Sequence, residues 1–265
     1  MTSEDKSIAV LVTIRPKKPE DRQKILDSLS SLTSFFRRPS TQCTTRTLIT
    51  PATRKGAIVR GVDSPANYSG QIGLIEIFTH PSALTTIQSS PEYTEFFGQV
   101  EREGLFTREL TAWYPTAGFV ARAREAQHPD RPGSETGPAG VVMLAKFICK
   151  DGEGVRDKLV NVLGTYCSWV EQNEPTTLTY SVMTRPKTAP NEVLLFERYK
   201  DLAALGAHGK TAQFRAMSKA TGPLMQVKKT VLTEWEEVEG GSFVSNIPGG
   251  AGAGIGPSTS AQAKL

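Results

Sequence analysis

Cysteine and histidine are scarce in this chain, with three of each among 265 residues. The cysteines are Cys43, Cys149 and Cys167, and the histidines are His80, His128 and His208. The cysteines are odd in number and never in a CxxC pair, so we expect reduced thiols rather than a disulfide framework. The histidines have no i,i+4 partner or carboxylate spacing typical of a metal site, so we predict no metal-ligating residues.

Long apolar runs and concentrated positive charge are also lacking. The longest apolar stretches resemble residues 8–12, far short of the roughly 18–20 residues of a membrane span. Residues 1–6 contain no apolar segment, which argues against a secretory signal. The net charge of +4 is spread evenly, without the basic stripe of a nucleic-acid-binding surface. We therefore expect neither a membrane nor a nucleic acid as partner.

The sequence is rich enough in apolar residues to fold, and its length suits two domains. Hydrophobic residues make up 38% and charged residues 22%, which is typical of globular domains. Two segments rich in glycine and proline lack apolar periodicity. We therefore predict a first domain at 7–116, a linker at 117–140, a second domain at 141–239 and a disordered tail at 240–265.

The two predicted domains carry the same pattern of residues. Apolar residues at i, i+4, i+7 and i+11 predict one amphipathic helix in each, formed by Ile25, Leu29, Leu32 and Phe36 in the first and by Leu159, Leu163, Tyr166 and Val170 in the second. β-rich segments surround these helices at matching positions, namely 8–14, 44–50 and 72–78, then 141–148, 177–184 and 193–199. The third pair aligns Glu76 with Glu197, and a final strand aligns Trp113 with Trp235. This indicates an internal duplication.

Each copy predicts the order β-α-β-β-α-β, which is the ferredoxin-like arrangement of the α+β class. Helices would cover one face of each four-stranded antiparallel sheet, and the opposite face needs a cover as well. We expect the two sheets to pack against each other within one chain, as two subunits would in a symmetric dimer. This predicts a monomer with internal pseudo-twofold symmetry, with a homodimer as the alternative.

The second copy resembles a known family. Its motifs are Ala145-Lys-Phe147, Glu174-Pro-x-x-x-Leu-x-Tyr180-x-Val182, Phe196-Glu197-Arg-Tyr199, Asp201-x-Ala-Ala-Leu205-x-Ala-His208, Phe214-Arg-Ala and Trp235-x-x-Val238. In this order they resemble the antibiotic biosynthesis monooxygenase (ABM) domain of the dimeric α/β barrel superfamily, and tandem fused versions look like those of fungi and actinomycetes. The resemblance implies that the two copies form a dimeric-type α/β barrel within one chain. The first copy is more divergent, with Arg46 where Tyr180 falls and Ile87 where His208 falls.

The resemblance implies a cofactor-independent monooxygenase of secondary metabolism that uses molecular oxygen as co-substrate. Its substrate would be a small hydrophobic metabolite bearing a carbonyl or phenol, such as a polyketide anthrone, a quinol or an oxylipin like jasmonate. The protein would deprotonate and orient the substrate and exclude water. Two alternatives stay open: an isomerase or dehydratase on the same fold, and a non-catalytic ligand-binding or scaffold protein.

His208 is the only histidine within these motifs and is the candidate catalytic base, since histidine exchanges protons near neutral pH. A structural hydrogen bond is the alternative. Glu197 lies in an apolar strand, where it either binds substrate or pairs with Arg198, Arg215 or a backbone amide. Tyr180 and Tyr199 either donate to a substrate oxygen or pack in the core. The remaining candidate substrate-binding residues, with plain core packing as the alternative, are Met143, Trp169 and Phe214.

Three further features carry weaker expectations. Arg46 and Arg60 are the unusual polar residues of the first copy, for which we expect a surface role, with binding of a substrate carboxylate as the alternative. The long connection at 52–70 either covers the mouth of a pocket or is an inert loop. Ala263-Lys264-Leu265 resembles a peroxisomal address, so we expect a peroxisomal or a cytoplasmic location.

Overall fold

The structure is a computed structural model that describes residues 6–62, 68–122 and 135–250. The elements of the first half are β1 (Ile8–Pro16), α1 (Asp21–Ser31), α2 (Thr33–Phe36), a 3-10 turn (Pro39–Thr41), β2 (Cys43–Pro51), β3 (Val59–Arg60), β4 (Ile72–Phe78), α3 (Pro81–Gln88), α4 (Pro91–Glu103) and β5 (Phe106–Phe119). The apolar stripe of the first half, predicted to form one helix, is divided between α1 and α2.

The second half repeats this order. Its elements are β6 (Glu135–Thr136), β7 (Val141–Ile148), α5 (Val155–Asn173), β8 (Thr177–Arg185), β9 (Ala189–Tyr199), α6 (Leu202–His208), α7 (Ala212–Thr221), two 3-10 turns (Gly222–Leu224 and Val227–Lys229), β10 (Val231–Glu237) and β11 (Phe243–Ser245). The predicted β-α-β-β-α-β arrangement is confirmed in both halves. No helix in the described ranges is both long enough and apolar enough to span a bilayer.

Eight of the described strands close into an antiparallel barrel. Each half contributes a four-stranded sheet, in the order β2-β4-β1-β5 for the first and β8-β9-β7-β10 for the second. The end of β5 pairs with β8, and the end of β10 pairs with β2, so the last strand of each half closes the sheet of the other. The predicted intrachain α/β barrel is therefore confirmed, and it leaves the central sheets without open edges.

Alternating side chains along each strand divide the core between the barrel interior and the helix-facing surfaces. The interior holds apolar residues of both halves, among them Trp113, Leu144, Phe196 and Trp235. The helix-facing core of the first half surrounds α1, and that of the second half surrounds α5. The barrel thus has three apolar compartments, of which the two outer ones are related by the duplication.

Local contacts also repeat across the two halves. The indole N–H of Trp113 donates to Thr111, and that of Trp235 donates to Thr233, both at 2.9 Å. His80 caps α3 by accepting from the backbone N–H of Ala83. Asp201 caps α6 in the same way by accepting from Ala204. These matched caps place the second helix of each repeat at the same position over its sheet.

Two predicted boundaries are wrong in part. Strand β5 continues through residue 119, beyond the predicted linker start at 117, because its end pairs with β8. The segment at 240–250 is not a disordered tail, since β11 pairs with β2 and buries Phe243 and Val244. Apolar burial stabilises this short strand although its neighbours are glycine-rich. The remaining linker residues 123–134, and 251–265 with their terminal tripeptide, lie outside the described residues.

Gly118 permits the change of partner within β5. A bulge interrupts the β5–β8 register between Pro115 and Ala117, and Gly118 has a φ of 85°. A Cβ atom there would lie 2.1 Å from the carbonyl oxygen of Tyr180. We expect Gly118→Ala to lower the free energy of unfolding by about 2 kcal/mol or more, because a positive φ and a backbone clash combine. Urea denaturation checks this, with Gly98→Ala as control, since that helical glycine has room for a methyl group.

Candidate functional site

The site forms where α5, α6 and α7 cover the sheet of the second half. His208 is the last residue of α6, and only 2% of its surface is exposed. On strands β8 and β9, Tyr180, Glu197 and Tyr199 point to the same helix-facing side, because they alternate with residues of the barrel interior. Tyr180 and Glu197 are direct partners in the β8–β9 register.

Glu174 holds the His208 imidazole. The His208 Nδ1 atom lies 2.7 Å from the Glu174 Oε2 atom, and the Glu174 side chain is 10% exposed. Thr177 donates its hydroxyl to the same oxygen at 2.9 Å. A carboxylate at this position favours the tautomer with the proton on Nδ1, which leaves the Nε2 lone pair free to accept a proton.

Aromatic rings enclose the imidazole. Four ring centroids lie within 5.6 Å of the His208 ring centroid: Tyr166 at 5.6 Å, Tyr180 at 5.3 Å, and Tyr199 and Phe214 at 5.2 Å each. The Tyr166 hydroxyl is 3.5 Å from His208 Nε2, at the outer limit of a hydrogen bond. Trp169 stacks on Tyr166 at 5.9 Å and is partly exposed. The rings fill the space around Nε2 and separate it from water.

Glu197 adds a second acidic group to this enclosure. The Tyr199 hydroxyl donates to Glu197 Oε2 at 2.6 Å. Burial raises the pKa of Glu197 above its ordinary value, although His208 and Tyr199 oppose the shift. Burial also raises the pKa values of Tyr180 and Tyr199 well above the ordinary phenol value, and the negative charge of Glu197 adds to this. Both phenols therefore stay protonated, and the Tyr199 proton forms the hydrogen bond to Glu197.

The structure brings most of the predicted site residues together. The enclosure contains His208, Tyr180, Glu197, Tyr199 and Phe214, and Trp169 lies behind Tyr166. Met143 is buried in a neighbouring cluster with Tyr199 and packs beside the site rather than in it.

The expected ion pair of Glu197 with Arg198 or Arg215 is not what the structure shows. Arg198 contacts Glu237 at 2.6 Å from within the barrel wall, because neighbouring residues of a strand face opposite sides. Arg215 donates to the backbone carbonyl of Lys210. Glu174 is the functional residue that sequence reasoning missed. Its motif position was the available signal, since the residue opens the Glu174-Pro segment.

The first half has different chemistry at the equivalent position. Arg46 and Glu76 are direct partners in the β2–β4 register, with 3.3 Å between Arg46 Nε and Glu76 Oε1. Arg46 is fully buried, so the expected surface role is wrong. Its guanidinium also donates to Thr33, to the Leu29 carbonyl and to the Gly241 carbonyl. The pair therefore ties the sheet to α1, α2 and the segment before β11.

Space beside this pair is small. A cleft of about 20 Å³, lined by residues such as Leu29, Tyr93 and Arg108, lies over Arg46 and Glu76. Ile87 occupies the position of His208 and packs into the core. A cleft of this size accommodates about one water molecule. The first half therefore lacks both the imidazole and the room for a metabolite.

A much larger cavity of about 500 Å³ lies inside the barrel. Gly61, Val62 and Tyr68 of the 52–70 connection line it, so the described part of this connection borders a pocket. The connection is held to β10 by Arg54, which forms two hydrogen bonds to Glu234 at 2.7 and 2.6 Å. Arg60 is exposed on β3, in agreement with a surface role.

Within the described ranges, no cluster of three or more histidine, cysteine, aspartate or glutamate residues is arranged to hold a metal ion. Cys167 is buried beside the enclosure, where burial raises the pKa of its thiol to about 12. All three cysteines are buried and reduced. The protonated thiols are therefore poor nucleophiles, and the reactive groups of the site are those around His208.

Comparison with known sequences agrees with a site in the second half of the chain. Residues 152–220 match the family model described as antibiotic biosynthesis monooxygenase, and this range contains α5, β8, β9, α6 and all but the last residue of α7. The resemblance seen in the motifs of the second half is thereby confirmed. No curated protein gives a significant match to the chain.

Solved structures with the same architecture cover both halves. The chain is similar to a candidate monooxygenase from Lactobacillus acidophilus, with a TM-score of 0.68, 13% identity, and coverage of 91% of this chain and 97% of that one. A candidate monooxygenase from Fusobacterium nucleatum gives a TM-score of 0.63 at 13% identity, with coverage of 92% of this chain and 96% of that one. An anthrone oxidase-like protein gives a TM-score of 0.56 at 12% identity, with coverage of 96% of this chain and 97% of that one. At such identities the likeness establishes the shared fold.

Proposed function

With residues 152–220 forming an ABM-type domain, we propose that this protein is a cofactor-independent monooxygenase. Its substrate would be a small hydrophobic metabolite with an acidic C–H or O–H next to a carbonyl or phenol, such as an anthrone, a quinol or an oxylipin. The observation that carries the proposal is the buried His208–Glu174 pair inside a ring of tyrosines.

The first step is proton removal by His208. Its Nε2 atom takes the substrate proton, while Glu174 orients the ring through Nδ1 and stabilises the imidazolium that forms. The substrate anion is electron-rich enough to give one electron to O₂. Recombination of the two radicals forms a C–O bond, and protonation of the peroxide by the imidazolium completes a hydroperoxide. Loss of water from a CHOOH centre then leaves a carbonyl, so both atoms of O₂ and all protons are accounted for.

Tyr180 provides the stabilisation of negative charge. Since its phenol remains protonated, it can donate a hydrogen bond to the oxygen that becomes anionic when the proton is lost. Glu197 accepts from Tyr199 and fixes the direction of that hydroxyl. Donors held in a dry site are worth more than donors in water, because solvent does not compete for them.

Closure around His208 fits an oxygenase that must keep water from a reactive anion. Entry of a substrate requires side chains to move, and Phe214 on α7 and Trp169 on α5 are the partly exposed aromatic residues at this surface. We propose that rotation of these two side chains opens the site and that their return closes it over the bound metabolite.

The direct test is oxygen consumption. We expect the purified protein, stripped of metals with a chelator, to consume one O₂ per molecule of an anthrone such as dithranol and to yield the corresponding anthraquinone. An oxygen electrode and chromatography of the product measure this. Turnover that persists without O₂ favours an isomerase using the same base. Absence of turnover across anthrones, quinols and oxylipins, with only weak binding, favours a scaffold role and contradicts the proposal.

A further inference from the structure

We propose that the barrel interior is a second binding site, separate from the His208 enclosure, for a small planar anion such as an aromatic carboxylate. The cavity of about 500 Å³ lies on the opposite side of the sheet from His208. It lies within the size range of pockets that bind small molecules. Residues of both halves line it, so it exists only because the two repeats close into one barrel.

The walls of this cavity offer aromatic surface. Trp113, Trp235 and Tyr68 line it. Their polar groups are already satisfied, since the indoles donate to threonine hydroxyls and the Tyr68 hydroxyl donates to the Glu234 carbonyl at 2.6 Å. The parts of these rings that face the cavity therefore have no unmet hydrogen bonds. Each residue is at most 5% exposed and Arg185 covers the face of Trp113, so the rings add limited apolar surface to the wall. Such a wall favours an apolar ligand body.

Charged residues collect at one end of the cavity and leave a surplus of positive charge. Arg15 pairs with Glu109 at 3.7 Å, and Arg185 pairs with Glu192 at 3.2 Å. Lys146 lines the same cavity and has no ion-pair partner among the residues that the structure describes. Arg15 and Glu109 have side chains 44% and 64% exposed, which places this end at the solvent.

Arg185 is the second feature that favours an anionic ligand. Its guanidinium lies over the Trp113 ring at 5.1 Å, and one side of it contacts Glu192. Its Nε atom is buried and has no hydrogen-bond partner in the described part of the chain. This atom is out of reach of a ligand in the cavity, but the Arg185 side chain is 20% exposed elsewhere. A carboxylate between its accessible part and Lys146 would neutralise the surplus charge.

The deeper wall of the cavity consists of buried residues. Gly73 lies on its wall where a Cβ atom would be 2.7 Å from Ile49 and 3.3 Å from Trp235. Ile49 and Phe196 are fully buried beyond it. The ligand would therefore enter at the charged end, with its aromatic body toward the tryptophans and its carboxylate toward solvent. This orientation matches an amphipathic planar acid.

The test uses 2-naphthoate as probe and its neutral analogue 2-naphthamide, followed by isothermal titration calorimetry and tryptophan fluorescence. We expect 1:1 binding of naphthoate and about 10-fold weaker binding of the amide. Lys146→Met should weaken naphthoate about 10-fold and leave the amide unchanged. Lys158→Met, at an exposed position of α5, is the matched control and should leave both unchanged.

Two further variants locate the probe. Thr13→Phe, which fills the cavity from β1, should abolish binding while the thermal melting curve shows a folded protein. Trp169→Phe should leave the fluorescence quenching intact, because Trp169 lies at the His208 enclosure rather than in the barrel. Naphthoate that binds Thr13→Phe normally, or that fails to bind the wild type up to its solubility limit, would overturn the proposal. Neither result bears on oxygen consumption, so the two proposals fail separately.

Discussion

Replacing Arg46 with methionine is expected to lower the free energy of unfolding by about 3–5 kcal/mol, the range typical of a broken buried ion pair. Arg46 is fully buried and its partner Glu76 nearly so, which leaves an uncompensated carboxylate after the change. The variant also loses the hydrogen bonds to Thr33 and to the carbonyls of Leu29 and Gly241. Urea denaturation followed by circular dichroism measures the loss.

The pH dependence of this loss has a defined sign. Burial raises the pKa of Glu76, and the Arg46 charge opposes that rise in the native protein. Without Arg46 the folded-state pKa rises further above the unfolded value. Below the unfolded pKa the carboxyl is neutral in both states, so the penalty is absent there and grows as pH increases toward the folded pKa. The deficit of Arg46→Met should therefore be largest near neutral pH and smaller below about pH 4.

Two controls separate burial from pairing. Arg38→Met breaks the exposed pair with Glu92, whose 2.6 Å distance is shorter than that of the buried pair, and should cost less than about 1 kcal/mol. The double variant Arg46→Met with Glu76→Leu removes both charges and should recover most of the stability. Equal losses for Arg38→Met and Arg46→Met, or no recovery in the double variant, would show that the buried pair has no special role.

The outcome for Arg46 shows where sequence reasoning reaches its limit. The repeat pattern predicted that Arg46 and Tyr180 are equivalent, and the strand registers confirm it, because each lies opposite a glutamate. Burial of Arg46 was not predictable from composition, since arginine is mostly a surface residue. Its acceptors come from α1, α2 and residue 241, and only tertiary packing brings these together.

The barrel likewise has features that the sequence predicted and features that it did not. β-rich segments predicted the eight barrel strands of the two repeats, because β propensity is local information. The pairing of β5 with β8 and of β10 with β2 joins segments far apart in the sequence. Glycine-rich residues 240–242 concealed β11, since its three residues are too short to show periodicity.

The sequence predicted most of the residues that form the candidate site, but not how they are arranged. His208, Tyr180, Glu197 and Tyr199 follow from the motifs, and the strand positions of the last three fix the directions of their side chains. Glu174 follows the end of α5, where an acidic residue is ordinarily solvated and opposes the helix dipole. Its contact with His208 depends on how α6 returns over the sheet. The proposed acceptor of the proton was thus identified from sequence, and the residue proposed to orient it was not.

Replacement of His208 by asparagine is expected to lower turnover of the anthrone substrate about 10²–10⁴-fold, the usual contribution of a general base. Asparagine keeps a hydrogen-bonding group near Glu174 but accepts no proton in the required range. The Michaelis constant should change little, since the imidazole acts on the transition state rather than on binding. Steady-state oxygen consumption gives both constants, and circular dichroism confirms that the variant is folded.

Comparison with three other changes makes this prediction specific. His80→Asn alters a helix cap in the first half, where asparagine also caps well, and should leave turnover unchanged. Glu174→Gln should lower the rate constant by a smaller factor at constant Michaelis constant, because the base remains but its orientation is weakened. Added imidazole should partly restore His208→Ala, since the smaller side chain leaves room for the free base. Full turnover in His208→Asn would show that another group removes the proton, and the tyrosine–glutamate pair of Tyr199 and Glu197 would then be the next to test.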